Sequence, residues 1–540
     1  MGGSQSKGTW IDSPVVETCY GKIQGRRLVD QDLERPVDAF QGIPFAQPPV
    51  GPLRFKKPMP PKSWEGVREA KRWGPMSIQR EFIITSKERG KPSEDCLYLN
   101  VFAPTWKASE DFPNGFPVMV FIHGGAFSID GAVSYGDVGI CKRLVTKDII
   151  VVTIQYRLGY LGFWHTGDGI IPSNLGLWDQ TMALRWVQDN IGAFGGDMNN
   201  VTVAGQSAGG ASADMLTLSP HSNGLFHKSI PMAGNACADW AFNTESMADA
   251  CDKKARKMGL VWDSPEELAD KLMDVQARHF EFNWYSLSKE LDSDLDCAPV
   301  VDGDFFPESI EVLRRKAPPK PLMTGVTKLE ALLFTVFRKP TDKAIAKALT
   351  KCVPDGHKDR EQVREDVHRS YVPIEYRGSR TKSLRGQIEL VSDIFLNAPT
   401  LQLCRDTLVA NEGKAPVFLY VWEHCNTKSW GFMRRFMKHT DASHGTELSY
   451  LFGKALMFPF KFTAEDERMV ETFTAAFANF VKFGDPNGAP SRPSQLPIPW
   501  PRLTNDGERH FVFDIDFSVR DAYFGGMPRE ILGHQRDAKL

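Results

Sequence analysis

Ser207 lies in the pentapeptide Gly205-Gln206-Ser207-Ala208-Gly209, between the apolar run Val201-Thr202-Val203-Ala204 and a helix-compatible stretch opened by Gly210. That order of strand, sharp turn and helix is what a nucleophile elbow requires. A serine at the tip of such a turn sits in strained backbone, and only small residues two before and two after it let strand and helix approach. Gly205 and Gly209 meet that need. In a chain with 45 glycines the pentapeptide alone also fits an idle serine in a turn.

Acyl transfer at a serine needs a base to take the hydroxyl proton, an acid to orient the base, and donors aimed at the developing oxyanion. With a nucleophile elbow the expected chain order is Ser, then Asp or Glu, then His. Among 12 histidines, His444 stands out in Ala442-Ser443-His444-Gly445-Thr446-Glu447, a Ser/Gly-flanked loop after the apolar run Val417 to Trp422. A lone loop histidine also fits a surface residue. Glu330 follows the strand-like Leu322 to Val326 through Thr327-Lys328-Leu329, at a strand end, where catalytic groups of open α/β sheets lie. The run Val118 to Ile122 enters His123-Gly124-Gly125-Ala126-Phe127, whose glycines allow backbone amides to turn toward a substrate carbonyl beside the amide of Ala208.

These groups need a scaffold that delivers strand ends to one edge. Between Phe116 and Ala204 the chain alternates apolar strands (Pro117 to Ile122, Asp148 to Tyr156, Val201 to Ala204) with a helix over Gln180 to Ile191. Ala183, Leu184, Val187 and Ile191 give that helix one apolar face. The pattern predicts an α/β fold around a large, mostly parallel sheet. Further strands are expected at Pro321 to Val326 and Val417 to Trp422. The charged, helix-rich stretch 239–371, including a helix over Pro265 to Arg278, reads as cap material over the catalytic face, with the Glu330 strand passing through it. No repeat or composition break divides the chain, so a single domain over 13–533 is expected, with tails at 1–12 and 534–540.

Composition is that of a globular protein: 42% hydrophobic and 24% charged, with Lys+Arg 65 against Asp+Glu 67. The resulting net charge of -2 gives no global field for nucleic acid or for an anionic membrane. The short run Arg434-Arg435 with Lys438 reads as a solvated face. Apolar runs fall far below the roughly 18 residues a membrane span needs. The N-terminus lacks an apolar signal core. It matches the N-myristoylation pattern, with Gly2 as acceptor and Ser6 at the required spacing, and a single acyl chain gives only weak membrane association. Ala538-Lys539-Leu540 resembles a peroxisomal address, so an intracellular, mainly cytoplasmic placement carries membrane-associated and peroxisomal alternatives. Nine cysteines without CxxC spacing suggest reduced thiols and no zinc. No cofactor is implied, and the oligomeric state is open.

The chain resembles the type-B carboxylesterase and cholinesterase family of the α/β-hydrolase fold. The resemblance rests on Phe40-Gln41-Gly42-Ile43-Pro44-Phe45-Ala46-Gln47-Pro48-Pro49-Val50-Gly51, Ser93-Glu94-Asp95-Cys96-Leu97-Tyr98-Leu99-Asn100-Val101 and Tyr156-Arg157-Leu158-Gly159. Asn174-Leu175-Gly176-Leu177-Trp178-Asp179-Gln180, Phe194-Gly195-Gly196-Asp197, the elbow and Gly484-Asp485-Pro486-Asn487 continue it. It implies a serine carboxylesterase acting on a small-molecule ester through an acyl-enzyme. The implied triad is Ser207, Glu330 and His444, and the implied oxyanion amides are Gly125, Ala126 and Ala208, with Ala126 where many members carry glycine. The same family holds adhesion proteins without the nucleophile, so an inactive or weakly active interaction protein is the alternative.

Departures from the family pattern sharpen these expectations. The family cysteine matching Cys96 pairs with one in a G-P-x-C segment, which here reads Gly74-Pro75-Met76-Ser77, and the stretch 257–272 lacks the cysteine of a second disulfide. Both losses agree with an intracellular setting, in which the sequon at Asn200 is unused. Between Ser77 and Cys96, where cholinesterases carry a choline-binding tryptophan, Phe82 is the only aromatic. Gln206 replaces the glutamate usual in that branch. Ala233 replaces the serine that supports the H-G-x-E glutamate, so Glu447 is expected to have a different partner or a raised pKa.

Overall fold

The computed structural model describes residues 8–31, 33–80, 91–243, 246–282, 295–335, 340–376, 378–456, 458–489, 492–493 and 496–537. Gly2, Ser6, Phe82 and the tripeptide 538–540 lie outside the described residues.

Runs of β-branched and aromatic residues with no polar alternation cannot leave one face in water, and in this chain they form the middle of one 13-stranded sheet. Its parallel centre runs in spatial order through β7 (Ile150–Ile154), β6 (Phe116–Ile122), β8 (Gly196–Gln206), β9 (Lys228–Met232), β10 (Leu322–Thr327), β11 (Val417–Trp422) and β14 (His510–Phe513). Antiparallel strands extend it: β5 (Tyr98–Pro104), β3 (Val37–Pro44), β2 (Gly21–Val29) and β1 (Thr9–Thr18) on one side, β15 (Ser518–Arg520) on the other. The short β4 (Val67–Glu69) pairs with β2, and β12 (Gly488–Ala489) with β13 (Arg492–Pro493) makes a separate ribbon.

Alternate side chains of each central strand enter opposite cores. Val118, Val120 and Ile122 join Val152 and the helix Leu175–Asn190 in one cluster. Met119 and Phe121 join Val151 and the helix Ala464–Phe483 in the other. The predicted apolar helix face Ala183, Leu184, Val187 and Ile191 is fully buried. That helix starts earlier than expected, and Ile191 already belongs to a following 3-10 turn, Ile191–Phe194. A third cluster beneath the helices Asp342–Cys352, Arg360–Tyr371 and Arg380–Ser392 includes Leu329, Ala331 and Leu332. The added helical layer therefore packs on the turn that carries Glu330.

Candidate active site

The elbow forms where β8 ends. Ser207 has φ 59° and ψ -126° and precedes the helix Ala208–Leu218. A Cβ on Gly205 would stand 2.2 Å from the Gly209 carbonyl oxygen, and one on Gly209 would stand 2.1 Å from that of Ile122. Neither position tolerates a side chain without moving a strand. The Ser207 N–H donates to the Met232 carbonyl at 2.8 Å, which fixes the turn to the end of β9.

Two strands further along, β10 ends at Thr327 and the chain turns through Glu330, which is wholly buried. One carboxylate oxygen accepts from the Thr327 N–H at 2.5 Å, and the other lies 2.5 Å from Nδ1 of His444. Backbone links zip the two loops together: Leu329 N–H to the Ala442 carbonyl at 3.0 Å, and His444 N–H to the Glu330 carbonyl at 3.4 Å. The Ser443 hydroxyl donates to the Glu330 carbonyl at 3.2 Å and accepts from the Leu333 N–H at 2.8 Å. Phe334 packs its ring 5.2 Å from the imidazole. The imidazole therefore has one position and, with Nδ1 turned to a carboxylate, one neutral tautomer.

Its other nitrogen, Nε2, is 3.2 Å from the side-chain amide nitrogen of Gln206. Among the described residues the Ser207 hydroxyl makes no hydrogen bond. Glu330 and His444 thus meet from the end of β10 and the loop after β11, and Gln206, the residue before Ser207, contacts the other ring edge of His444. Sequence reading noted Gln206 only as a replacement. Its contact spans 238 positions, and no local signal encodes it.

The loop after β6 reaches the same place, since a Cβ on Gly124 would sit 3.0 Å from the Ser207 Cβ. Ala126 has φ 50° and Phe127 φ 56°, conformations L-residues adopt at a cost. Tyr156 holds the loop: its hydroxyl donates to the His123 carbonyl at 2.9 Å and its ring stacks on the His123 imidazole at 4.5 Å. Burial lowers the His123 pKa, which keeps that ring neutral. Among the described residues no group accepts from the N–H of Gly125, Ala126 or Ala208.

Near Glu330 lies Glu447, 1% exposed, with one carboxyl oxygen lacking a protein partner among the described residues. Burial, then the charge of Glu330, push its pKa well above the usual glutamate range. Ala233, at φ 46°, offers no hydroxyl to it. The burial of Glu447 beside Glu330 agrees with the expectation of a raised pKa. The Tyr420 hydroxyl, near both glutamates, is also buried without a partner among the described residues.

Ser77, buried, accepts from the Leu158 N–H at 3.0 Å. Where the resemblance implied a disulfide elsewhere in the family, Cys96 is free and Ser77 holds the Leu158 backbone instead. All nine cysteines are free. Other motif residues are structural clamps: Arg157 chelates Asp179 at 2.7 and 2.8 Å, and Arg54 chelates Glu94 at 2.6 and 2.7 Å. Among the described residues no cluster of three metal-ligating side chains occurs, and no helix is long and apolar enough to cross a membrane.

A large, mostly parallel sheet with helices on both faces and a serine elbow at a strand end defines an α/β-hydrolase fold. The chain belongs to the carboxylesterase family, whose model matches residues 12–527. It is 37% identical to Esterase cest-33 of Caenorhabditis elegans, with 95% of this chain and 92% of that protein aligned. It is 34% identical to human Carboxylesterase 3 over 93% of this chain and 87% of the relative. Neuroligin-3 of Mus musculus is 30% identical, with 89% of this chain covering 62% of that protein.

Proposed function

We propose that the protein hydrolyses carboxylic esters through an acyl-enzyme on Ser207. The observation that carries this reading is the 2.5 Å contact of Glu330 with His444, on a loop that also reaches the residue preceding Ser207. In the first step the Gln206 amide gives way, and His444 Nε2 takes the Ser207 proton as Oγ attacks the ester carbonyl. The amides of Gly125, Ala126 and Ala208 receive the oxyanion, where fixed donors act most strongly. His444 returns the proton to the departing alcohol, then activates the water that releases the acid. Glu330 stabilises the imidazolium and takes no proton itself. Gln206 places a neutral amide beside the leaving group, which favours uncharged alcohols over cationic ones.

Ser207→Ala lowers kcat on a short-chain aryl ester by on the order of 10⁴ to 10⁶ while the fold persists. Unchanged turnover would refute the assignment. The Neuroligin-3 relative supports a second, non-hydrolytic reading. Reaction with a fluorophosphonate separates the two: stoichiometric labelling of Ser207 requires a working base, and an inert serine supports the interaction protein.

A further inference from the structure

The segment after β11 turns outward in a 3-10 stretch, Thr427–Arg435, before returning to His444. Two side chains fasten it. Trp430, 1% exposed, donates its ring N–H to the Asp441 carbonyl at 3.3 Å, and Met433 is 5% exposed. Between and beyond these anchors Phe432 is 60% exposed and Phe436 72% exposed. Gly431, at φ 52°, makes the kink that presents Phe432, whose ring leans on Phe458 at 5.6 Å. Lys428, Arg434, Arg435 and Lys438 flank the two phenylalanines in sequence and are all exposed. None of the four has an ion-pair partner among the described residues. The neighbouring carboxylates are committed elsewhere, Asp441 to Arg385 at 2.9 Å and the buried Asp466 to His424 at 2.8 Å.

Two exposed aromatic rings and four exposed cations without ion-pair partners among the described residues fall within eleven consecutive positions, 428–438, on a chain of net charge -2, which is more than a solvated face needs. Protein partners of such a patch would need carboxylates set around an apolar pocket. A bilayer with anionic headgroups offers both features over any area: the rings enter the headgroup boundary while the cations meet phosphate and carboxylate. We propose that this surface docks the protein on anionic phospholipid membranes. Docking needs no acyl chain and is independent of the hydrolytic reading.

The test is co-sedimentation of the full-length chain, with unmodified Gly2, with phosphatidylcholine vesicles with and without phosphatidylserine. Binding is expected only with phosphatidylserine and weakens as salt rises. Phe432→Ser with Phe436→Ser lowers the partition coefficient by about 10- to 100-fold, and Arg434→Glu with Arg435→Glu lowers it at least about tenfold. Phe436→Ser alone, at a site that contributes little to packing, gives a smaller loss with an unchanged melting temperature. Equal binding to both vesicles, or wild-type binding by both double variants, overturns the proposal. So does sedimentation as a dimer that Phe432→Ser dissolves, which would make a second copy the occupant.

Discussion

The amide nitrogen of Gln206 lies 3.2 Å from Nε2 of His444, on the ring edge left open once Nδ1 is turned to Glu330. That edge must accept the serine proton in the proposed reaction, so Gln206 competes with Ser207 for it in the resting molecule. Gln206→Glu puts a carboxylate there and favours the imidazolium. The acid limb of the kcat/KM profile then moves up by about one pH unit, and hydrolysis of choline-type esters rises relative to neutral ones. A pH-rate series on paired neutral and cationic esters measures both; an unmoved limb means the contact has no bearing on the base.

Glu447 yields a pH dependence whose sign follows from its raised pKa. Above the ordinary value of 4.5 the unfolded chain releases this proton while the folded chain keeps it. Stability contributed by the neutral carboxyl is therefore full at low pH and falls as pH rises toward the folded-state pKa, by up to about 1.4 kcal/mol per pH unit for one proton. Glu447→Gln removes this loss. Thermal unfolding between pH 5 and 8 is expected to show the variant gaining on the wild type as pH rises; parallel curves would mean that the carboxyl is ionised in the folded state.

Ala126 occupies φ 50° in the loop beside Ser207. Ala126→Gly relieves a left-handed residue of its Cβ, and a gain of about 1 kcal/mol in unfolding free energy is expected. Ester turnover should persist, because the proposed donor is the amide and not the side chain. Chemical denaturation with a kcat measurement checks both, and a loss of stability would mean that the methyl group packs favourably enough to outweigh the strain.

Much of this architecture is legible in the sequence wherever burial is total. The expected strand Val417 to Trp422 matches β11 in full, because both of its faces are covered and every residue is apolar. β8 is longer than the expected Val201 to Ala204: it starts at Gly196 and includes the polar Asp197, Asn199 and Asn200, which hide its entry from a hydrophobicity pattern. The predicted helix Pro265 to Arg278 ends at Asp274, and Ala277–Phe280 forms a separate 3-10 turn. Ser207, Glu330 and His444 could be named because each follows a readable strand. The Gln206 contact, the Phe334 ring against His444 and the Tyr156 stack on His123 could not, since each depends on how distant loops meet in space.

The central strands bring together side chains that are far apart along the chain. Glu330 and His444 are separated by 114 positions and Gln206 and His444 by 238, yet each pair is in contact across the ends of parallel strands. Parallel pairing of this range closes late, after local helices have formed, because loop-closure entropy must be met first. In the proposed mechanism Ser207 is consequently a reporter of completed folding. Under that mechanism the elbow has no base until the strands carrying His444 and Glu330 pair, so a newly made chain would stay chemically silent until its last long-range strand contacts lock.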